Sequence, residues 1–277
     1  MRRPSTHRVP PPRRAAALLA VVLAALLPGC GAGSALGPAG AGGADGSRQG
    51  GGVSGDVVVF AASSLTEAFT RVGRAFEDAH PGVSVTFSFG GSSSLGPQVL
   101  AGAPADVFAS ASPETMTQVV RADAAAGRPV VFARNRLQIA VPPGNPGDVQ
   151  GLGDLADADL ALAVCAPEVP CGAAAEQAFS AAGVTARPDT LEQEVKAVLT
   201  KVELGEVDAG LVYRTDVRAA GGRVRGIDFP ESADVVNDYP IVDLADAPNP
   251  PAAQAFVGFV RSAQGREALD DAGFGLP

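Results

Sequence analysis

The stretch at residues 87–94, with the sequence FSFGGSSS, decides the fold class because a strand, a turn and a helix start meet within it. The alternating apolar residues at 83–89 predict a strand, which ends at two glycines. Three serines beginning at Ser92 follow, and the apolar spacing at residues 95–100 predicts a helix. This order places hydroxyl groups and unpaired backbone N–H groups at a helix N-terminus, where an anion can bind. The same residues also fit a surface helix that is capped by serine.

A second unit of the same kind precedes this one in the chain. The run VVVF at residues 57–60 is continuously apolar, as expected of a buried strand, and it leads to Ser63 and Ser64. Ser64 and Glu67 have the spacing of a capping box, which predicts that a helix begins at this serine. Ligands of open α/β sheets bind at the carboxyl ends of strands. Two such units therefore predict two helix N-termini that converge above one edge of a sheet.

Strands and helices also alternate along the rest of the chain. They include predicted strands at residues 107–109, 137–141, 160–164 and 210–213, and predicted helices at residues 173–181 and 193–204. This alternation predicts an α/β fold with largely parallel sheets. With 277 residues, 46% of them hydrophobic, the chain is long enough for one or two domains, and its many short units favour two lobes.

The N-terminus has the pattern of a bacterial lipoprotein signal peptide, predicted at residues 1–30. Five arginines precede an apolar segment at residues 15–27, which is too short to prefer spanning a bilayer as a mature helix. The sequence LPGC at residues 27–30 resembles a lipobox, so Cys30 is expected to receive the lipid; an ordinary secreted protein with a chance cysteine is the alternative. Residues 31–55, rich in Gly, Ala and Ser, predict a flexible tether. We therefore expect a domain outside the cytoplasm, anchored to the cell membrane.

The charge of the mature chain argues against one class of partner. Removal of residues 1–30 takes away five arginines and no Asp or Glu, which changes the net charge from −9 to −14. A strongly acidic domain is a poor match for nucleic acid, so no nucleic-acid partner is expected. The same charge is, at first sight, a poor match for an anionic ligand.

Two cysteines, Cys165 and Cys171, remain in the mature chain, six positions apart around a loop that contains proline. Outside the cytoplasm this arrangement predicts a disulfide. Such a short loop would contribute roughly 2 kcal/mol in the chain-entropy model. These cysteines and His80 are too few for a metal site, so no metal is expected.

The sequence lacks the signatures of several enzyme classes. His80 is the only histidine of the mature chain, and there is no G-x-S-x-G sequence, so a Ser-His-Asp hydrolase is not expected. There is also no G-x-x-x-x-G-K-[ST] phosphate loop. A hydrolase or transferase that uses Ser64 or Ser92 would need a base that the sequence does not offer. We therefore expect neither an enzyme nor a cofactor.

Three segments together resemble a known family. They are VFAASSLTEAF at residues 59–69, FSFGGSSSL at 87–95 and AGAPADVFASA at 101–111. They closely resemble the extracytoplasmic molybdate-binding proteins of bacterial ABC importers, and the resemblance extends from about Asp56 to the C-terminus. It implies a two-lobed, type II periplasmic-binding-protein fold with the ligand in the cleft between the lobes. Lobe one would comprise residues 56–134 plus 237–277, and lobe two residues 135–236.

The resemblance also implies a set of ligand-binding residues. The family holds its oxyanion with neutral donors, and the matching positions here are Ser64, Ser92, Cys171, Val195 and Tyr213. The serine and tyrosine hydroxyls would donate directly, whereas Cys171 and Val195 would donate through backbone N–H groups. Cys171 replaces an alanine of the family, so its side chain is free to form the disulfide. The neighbouring Ser63 and Ser93 are additional candidates.

The implied function is that of a monomeric, lipid-anchored receptor. It would bind molybdate, and also tungstate, and deliver the anion to the membrane permease of an ABC importer. A receptor for sulfate, phosphate or another small anion is one alternative, and an adhesin or interaction module without a ligand is another. A desolvated dianion needs about four or more donors. Local dipoles rather than the net charge would then set the affinity.

Overall fold

The computed structural model describes residues 52–277. The predicted signal peptide, the lipobox residue Cys30 and the predicted tether up to residue 51 lie outside the described residues. No helix within residues 52–277 is both long enough and apolar enough to cross a membrane.

Nine strands and eight helices alternate along residues 52–277. The strands are β1 (Gly55–Ala62), β2 (Val83–Gly90), β3 (Val107–Ala109), β4 (Val130–Val141), β5 (Leu162–Cys165), β6 (Thr190–Glu192), β7 (Ala209–Tyr213), β8 (Arg225–Ile227) and β9 (Val236–Asp243). The helices are α1 (Thr66–Ala79), α2 (Ser92–Leu100), α3 (Pro113–Arg121), α4 (Pro170–Ala182), α5 (Val195–Leu204), α6 (Arg214–Ala220), α7 (Pro250–Val260) and α8 (Ala263–Ala272).

The strands form a mixed sheet in the order β2-β1-β3-β9-β4-β7-β5-β6, with β8 beside β4. β1 pairs with β2 and β3, and β5 pairs with β6 and β7, in each case in parallel. Every pair that includes β4 or β9 is antiparallel. The predicted α/β class is therefore confirmed. The expectation of largely parallel sheets is wrong, because the two strands that join the halves of the sheet run against their neighbours.

Strand β4 carries the chain from one half of the sheet to the other. Its residues up to Arg136 pair with β9, and its residues from Leu137 onward pair with β7 and β8. Buried apolar side chains of residues 137–235 form one hydrophobic core, whereas those of residues 57–133 and 239–274 form two others. These cores support a crossing near Asn135. We therefore propose residues 56–134 plus 237–277 as lobe one and residues 135–236 as lobe two.

Local signals in the sequence explain most helix ends. The Ser112 hydroxyl accepts hydrogen bonds from the N–H groups of Glu114 and Thr115 at 3.1 and 3.3 Å and so caps α3, as expected of a serine directly before a proline at the first helical position. Gly183 ends α4 with a left-handed φ of 66°, which glycine adopts without a steric penalty. Helix α4 begins at Pro170, three residues earlier than predicted, because proline fits the first position of a helix.

Two helical glycines provide a matched test of this packing. A β-carbon at Gly172, in the first turn of α4, would overlap the carbonyl oxygen of Ala166, whereas one at the exposed Gly258 of α7 would meet nothing within 4 Å. We expect Gly172→Ala to lower the free energy of unfolding by about 1–3 kcal/mol. Gly258→Ala should raise it by about 0.5–1 kcal/mol. Urea unfolding measures both values, and equal effects would contradict a tight contact at the start of α4.

Candidate functional site

Six of the seven residues predicted to contact a ligand line one small cavity. They are Ser63, Ser64, Ser92, Cys171, Val195 and Tyr213. Ser93 is not among the residues that line it. The free volume is about 10 Å³, which is about what the centre of one water molecule requires. Cavities of about 290 and 420 Å³ lie elsewhere, but the first contains only Ser64 of the predicted set and the second contains none.

Ser64 lies in a 3-10 turn, Ser63–Leu65, between β1 and α1. Its hydroxyl lies 2.9 Å from the hydroxyl of Tyr239, and either oxygen can donate in that hydrogen bond. Helix α1 begins only at Thr66, and Ser64 makes no capping hydrogen bond. The predicted capping box of Ser64 and Glu67 is therefore wrong, because the side chain of Ser64 bonds to a distant strand instead.

Ser92 is the first residue of α2, as the strand-glycine-serine pattern predicts. Its side chain is buried, and its hydroxyl oxygen accepts the backbone N–H of Ala111 at 2.9 Å. A hydroxyl that accepts a hydrogen bond keeps its own proton for donation. Ser92 is therefore fixed in place and retains a donor for a ligand in the cavity.

Cys171 and Val195 place two further helix starts at the cavity. Cys171 is the second residue of α4, and its sulfur forms the predicted disulfide with Cys165 at the end of β5. Val195 is the first residue of α5, and its side chain is buried in the core of residues 137–235. The first N–H groups of a helix have no partner within that helix. Both residues can therefore offer backbone N–H groups while their side chains serve the fold.

Tyr213 ends β7, and its ring is almost completely buried, at 1% exposure. Its hydroxyl makes no hydrogen bond of good geometry within residues 52–277, although the side chains of Tyr239 and Asn237 lie near it. Burial raises the pKa of Tyr213 well above its ordinary value, and interactions with Tyr239 and Asp216 act in the same direction, whereas Asn237 opposes them. The hydroxyl therefore stays protonated. An unpaired buried donor is costly, so this group is a strong indication of a missing acceptor.

Glu194 also lines the cavity, although sequence reasoning did not select it. It immediately precedes α5, and it is half-buried. Burial raises the pKa of Glu194 above its ordinary value, and the hydroxyl of Ser63 and the charge of Lys196 offset only part of this increase. The sequence argument looked for neutral donors and therefore passed over a carboxylate. Its position directly before Val195 is the signal that could have identified it.

Three further polar side chains, Asn135, Thr215 and Tyr239, are connected to the site by hydrogen bonds. The side-chain amide of Asn135 donates to the hydroxyl of Thr215 at 2.8 Å, and it approaches the hydroxyl of Tyr239 at 3.5 Å. Tyr239 in turn holds Ser64. None of these three supporting residues was predicted from the sequence, because each contact joins parts of the chain at least 80 positions apart.

Comparisons with known proteins agree with this architecture. Residues 57–275 match the family of bacterial extracellular solute-binding proteins. The molybdate-binding protein ModA of Mycobacterium tuberculosis strain H37Rv is 42% identical over 261 residues, which cover 94% of this chain and 97% of that protein.

Two solved structures have a similar fold. The periplasmic molybdate-binding protein of Azotobacter vinelandii has a TM-score of 0.70 and 21% identity, and the match covers 80% of this chain and 99% of that chain. The sulfate-binding protein SubI of Mycobacterium tuberculosis H37Rv has a TM-score of 0.68 and 18% identity, with 80% and 86% of the two chains covered. They confirm the predicted periplasmic-binding-protein fold and carry no information about this chain's ligand.

The two buried tyrosines give a test of the unpaired hydroxyl that needs no ligand. We expect Tyr213→Phe to leave the free energy of unfolding unchanged or to raise it by about 1 kcal/mol, because it removes a buried donor without a partner. Tyr239→Phe should lower it by about 0.5–1.5 kcal/mol, because it removes the hydrogen bond to Ser64. Urea unfolding of both variants makes the comparison. A loss in Tyr213→Phe as large as that in Tyr239→Phe would mean that the Tyr213 hydroxyl has a partner.

Proposed function

The chain belongs to the family of bacterial extracellular solute-binding proteins, and on this premise we propose that it binds molybdate outside the cytoplasm and delivers it to the permease of an ABC importer. The observation that carries the proposal is the convergence of the predicted residues on one cavity, which is also lined by Tyr213, a residue whose buried hydroxyl makes no hydrogen bond of good geometry within residues 52–277. The identity to a mycobacterial molybdate-binding protein supports the choice of anion.

The chemistry of the cavity suits a tetrahedral dianion. Helices α2, α4 and α5 each begin at its wall, and the N-terminus of a helix carries unpaired N–H groups and a partial positive charge. The hydroxyls of Ser64, Ser92 and Tyr213 supply neutral donors. Donors that are fixed in place select an anion by its size and geometry, so we propose that tungstate, which has the same charge and shape as molybdate, binds as well.

The narrowness of the cavity implies that the ligand enters by a separation of its walls. A tetrahedral oxyanion is larger than the single water molecule for which there is room. At the rim, a β-carbon on Gly91 of lobe one would overlap the backbone oxygen of Gln193 of lobe two. The lobes therefore touch beside the cavity. We propose that they open to admit the anion and close over it, as is common in proteins that bind ligands between two lobes.

The cellular setting of the proposal rests on the sequence. We propose that Cys30 carries the lipid anchor and that residues 31–55 tether the domain, as a monomer, outside the membrane. The last residues of this proposed tether, Ser54 and Gly55, are fixed to the folded domain. Gly55 already belongs to β1, and the backbone oxygen of Ser54 accepts a hydrogen bond of 2.9 Å from Asn249.

Thermal unfolding with four anions tests the choice of ligand. A ligand at about a thousand times its dissociation constant stabilises a protein by about 4 kcal/mol. We expect molybdate and tungstate to raise the melting temperature by roughly 10 °C, and sulfate and phosphate to have little effect. A shift with sulfate or phosphate alone would reassign the ligand, and no shift with any of the four would refute the oxyanion site.

The Tyr213→Phe variant is the internal control for this experiment. It should weaken molybdate binding about 10–100-fold, because a hydrogen bond to a charged group contributes about 1.5–3 kcal/mol. Isothermal titration calorimetry measures this change. Since the variant is expected to retain its stability without ligand, the loss would belong to the donor and not to the fold.

Glu194 should make anion binding depend on pH. A dianion in the cavity disfavours the ionised carboxylate and raises its pKa further, so binding takes up a proton. The affinity for molybdate should therefore increase as the pH falls from about 7.5 towards the pKa of Glu194. Glu194→Gln should remove this dependence and bind about tenfold more tightly at neutral pH, because it removes a like charge. Calorimetric titrations across this range measure both effects, and an unchanged pH profile in the variant would show that the carboxylate does not face the anion.

A further inference from the structure

We propose that Lys196 is a positioning residue of the oxyanion site, where its ammonium group holds together the three segments that carry Ser64, Val195 and Tyr213. The inference rests on the proposed function and assigns a role to a side chain that does not itself line the cavity. Its basis is a set of three short contacts between distant parts of the chain.

The contacts of Lys196 join three helix starts. Lys196 follows Val195 in the first turn of α5. Its Nζ lies 2.9 Å from both Oε1 and Oε2 of Glu67, which is in the first turn of α1, three residues after Ser64. The same Nζ lies 3.1 Å from Oδ1 of Asp216, which is in the first turn of α6, three residues after Tyr213.

The contact with Asp216 reaches directly to Tyr213. Oδ2 of Asp216 accepts the backbone N–H of Tyr213 at 3.1 Å, so this carboxylate fixes the residue that carries the unpaired hydroxyl. Oδ1 of Asp216 forms an ion pair with the ammonium group of Lys196, although the geometry of this contact is not that of a good hydrogen bond. The side chain of Asp216 is fully buried, at 0% exposure, and that of Lys196 is 20% exposed.

The positive charge of Lys196 stabilises the buried carboxylate of Asp216. Burial raises the pKa of Asp216, and the charge of Lys196 opposes that shift. Burial by itself would lower the pKa of Lys196, but the carboxylates of Asp216 and Glu67 raise it by more. The resulting pKa lies above its ordinary value, so the side chain stays protonated. A buried carboxylate without a cation would be strongly unfavourable. Lys196 therefore stabilises the carboxylate that holds Tyr213 while it leaves the neutral donors of the cavity in place.

The two ion pairs of Lys196 connect different parts of the protein. The pair with Asp216 lies within lobe two, because α5 and α6 both belong to that lobe. The pair with Glu67 joins lobe two to α1 of lobe one, and the side chain of Glu67 is 47% exposed. An opening of the lobes would break the pair with Glu67 and preserve the pair with Asp216. The Lys196–Glu67 pair should therefore favour the closed, ligand-holding arrangement.

Glu67→Gln is the variant that tests the proposal. Lys196→Gln would leave Asp216 buried without its cation and is expected to disturb the fold, whereas Glu67→Gln keeps the lysine and the shape of the side chain. The matched control is Glu203→Gln, which removes a pair of 3.0 Å with Arg223 inside lobe two. We expect Glu67→Gln to weaken molybdate binding about 5–20-fold and to increase the dissociation rate, with the melting temperature of the anion-free protein within about 2 °C of the unmodified protein. Glu203→Gln should change neither property of binding.

Hydrogen exchange provides a readout that needs no ligand. Backbone amides in the first turns of α1 and α5 should exchange several-fold faster in Glu67→Gln, and at the unmodified rate in Glu203→Gln. If the two variants behave alike in affinity and in exchange, the positioning role is refuted. A melting temperature that falls in proportion to the affinity would also refute it, because the pair would then serve the fold alone. If the unmodified protein binds no anion but the exchange rates differ as expected, the proposed function fails and the role of Lys196 in holding these segments stands.

Discussion

The N–H groups at the starts of several helices can face one anion only if the two halves of the sheet turn their carboxyl edges toward the same point. All five residues of the implied ligand set follow, or end, a strand with parallel neighbours: β1, β2, β5, β6 and β7. The antiparallel strands β4 and β9 join these two halves. The mixed topology is therefore what allows two parallel units to share one cavity.

This arrangement combines fixed and movable contacts. The Cys165–Cys171 disulfide and the lack of space at Gly172 hold the start of α4 against the end of β5. The hydroxyls of Ser64 and Ser92 are held by contacts within the proposed lobe one. The close approach at Gly91 and the ion pair of Lys196 with Glu67, by contrast, join the two proposed lobes, and a separation of the lobes would break them. Donors that are rigid within each proposed lobe would lose little freedom on binding, so the proposed lobe motion would carry most of the ordering cost.

The sequence predicted those parts of the site that are encoded locally. The strand-glycine-serine-helix order placed Ser92 at the start of α2, and the spacing of two cysteines outside the cytoplasm predicted the disulfide. Val195 and Tyr213 were selected only through the family resemblance, since their side chains are those of ordinary core residues. Glu194 was passed over because it has the wrong charge for an anion site.

The two wrong predictions, of a capping box at Ser64 and of largely parallel sheets, have a common physical cause. The capping-box spacing of Ser64 and Glu67 is real, but tertiary partners took both side chains: Tyr239, 175 positions away, and Lys196, 129 positions away. A hydrogen bond to a buried partner satisfies a hydroxyl without a helix cap, and a local pattern cannot reveal that such a partner exists. The direction of β4 and β9 was missed for a related reason. Their apolar runs predict strands, but only the pairing of distant segments decides whether neighbours are parallel.

The acidity of the protein and the anionic ligand are compatible because they act over different distances. The charge of −14 expected after removal of residues 1–30 would produce a repulsive field around the domain, and at physiological ionic strength salt would screen it beyond about 8 Å. Hydroxyl and N–H donors act at contact, where few water molecules and no mobile ions intervene. The overall charge should therefore lower the rate of encounter with a dianion, and more so at low salt, while the donors in the cavity set its affinity and selectivity. A buried arginine would have increased the affinity for dianions in general. In the proposed site, neutral donors on helix starts would leave the discrimination to the size of the cavity. Lys196, which does not line that cavity, would contribute its charge to the surrounding structure and not to the contact with the ligand.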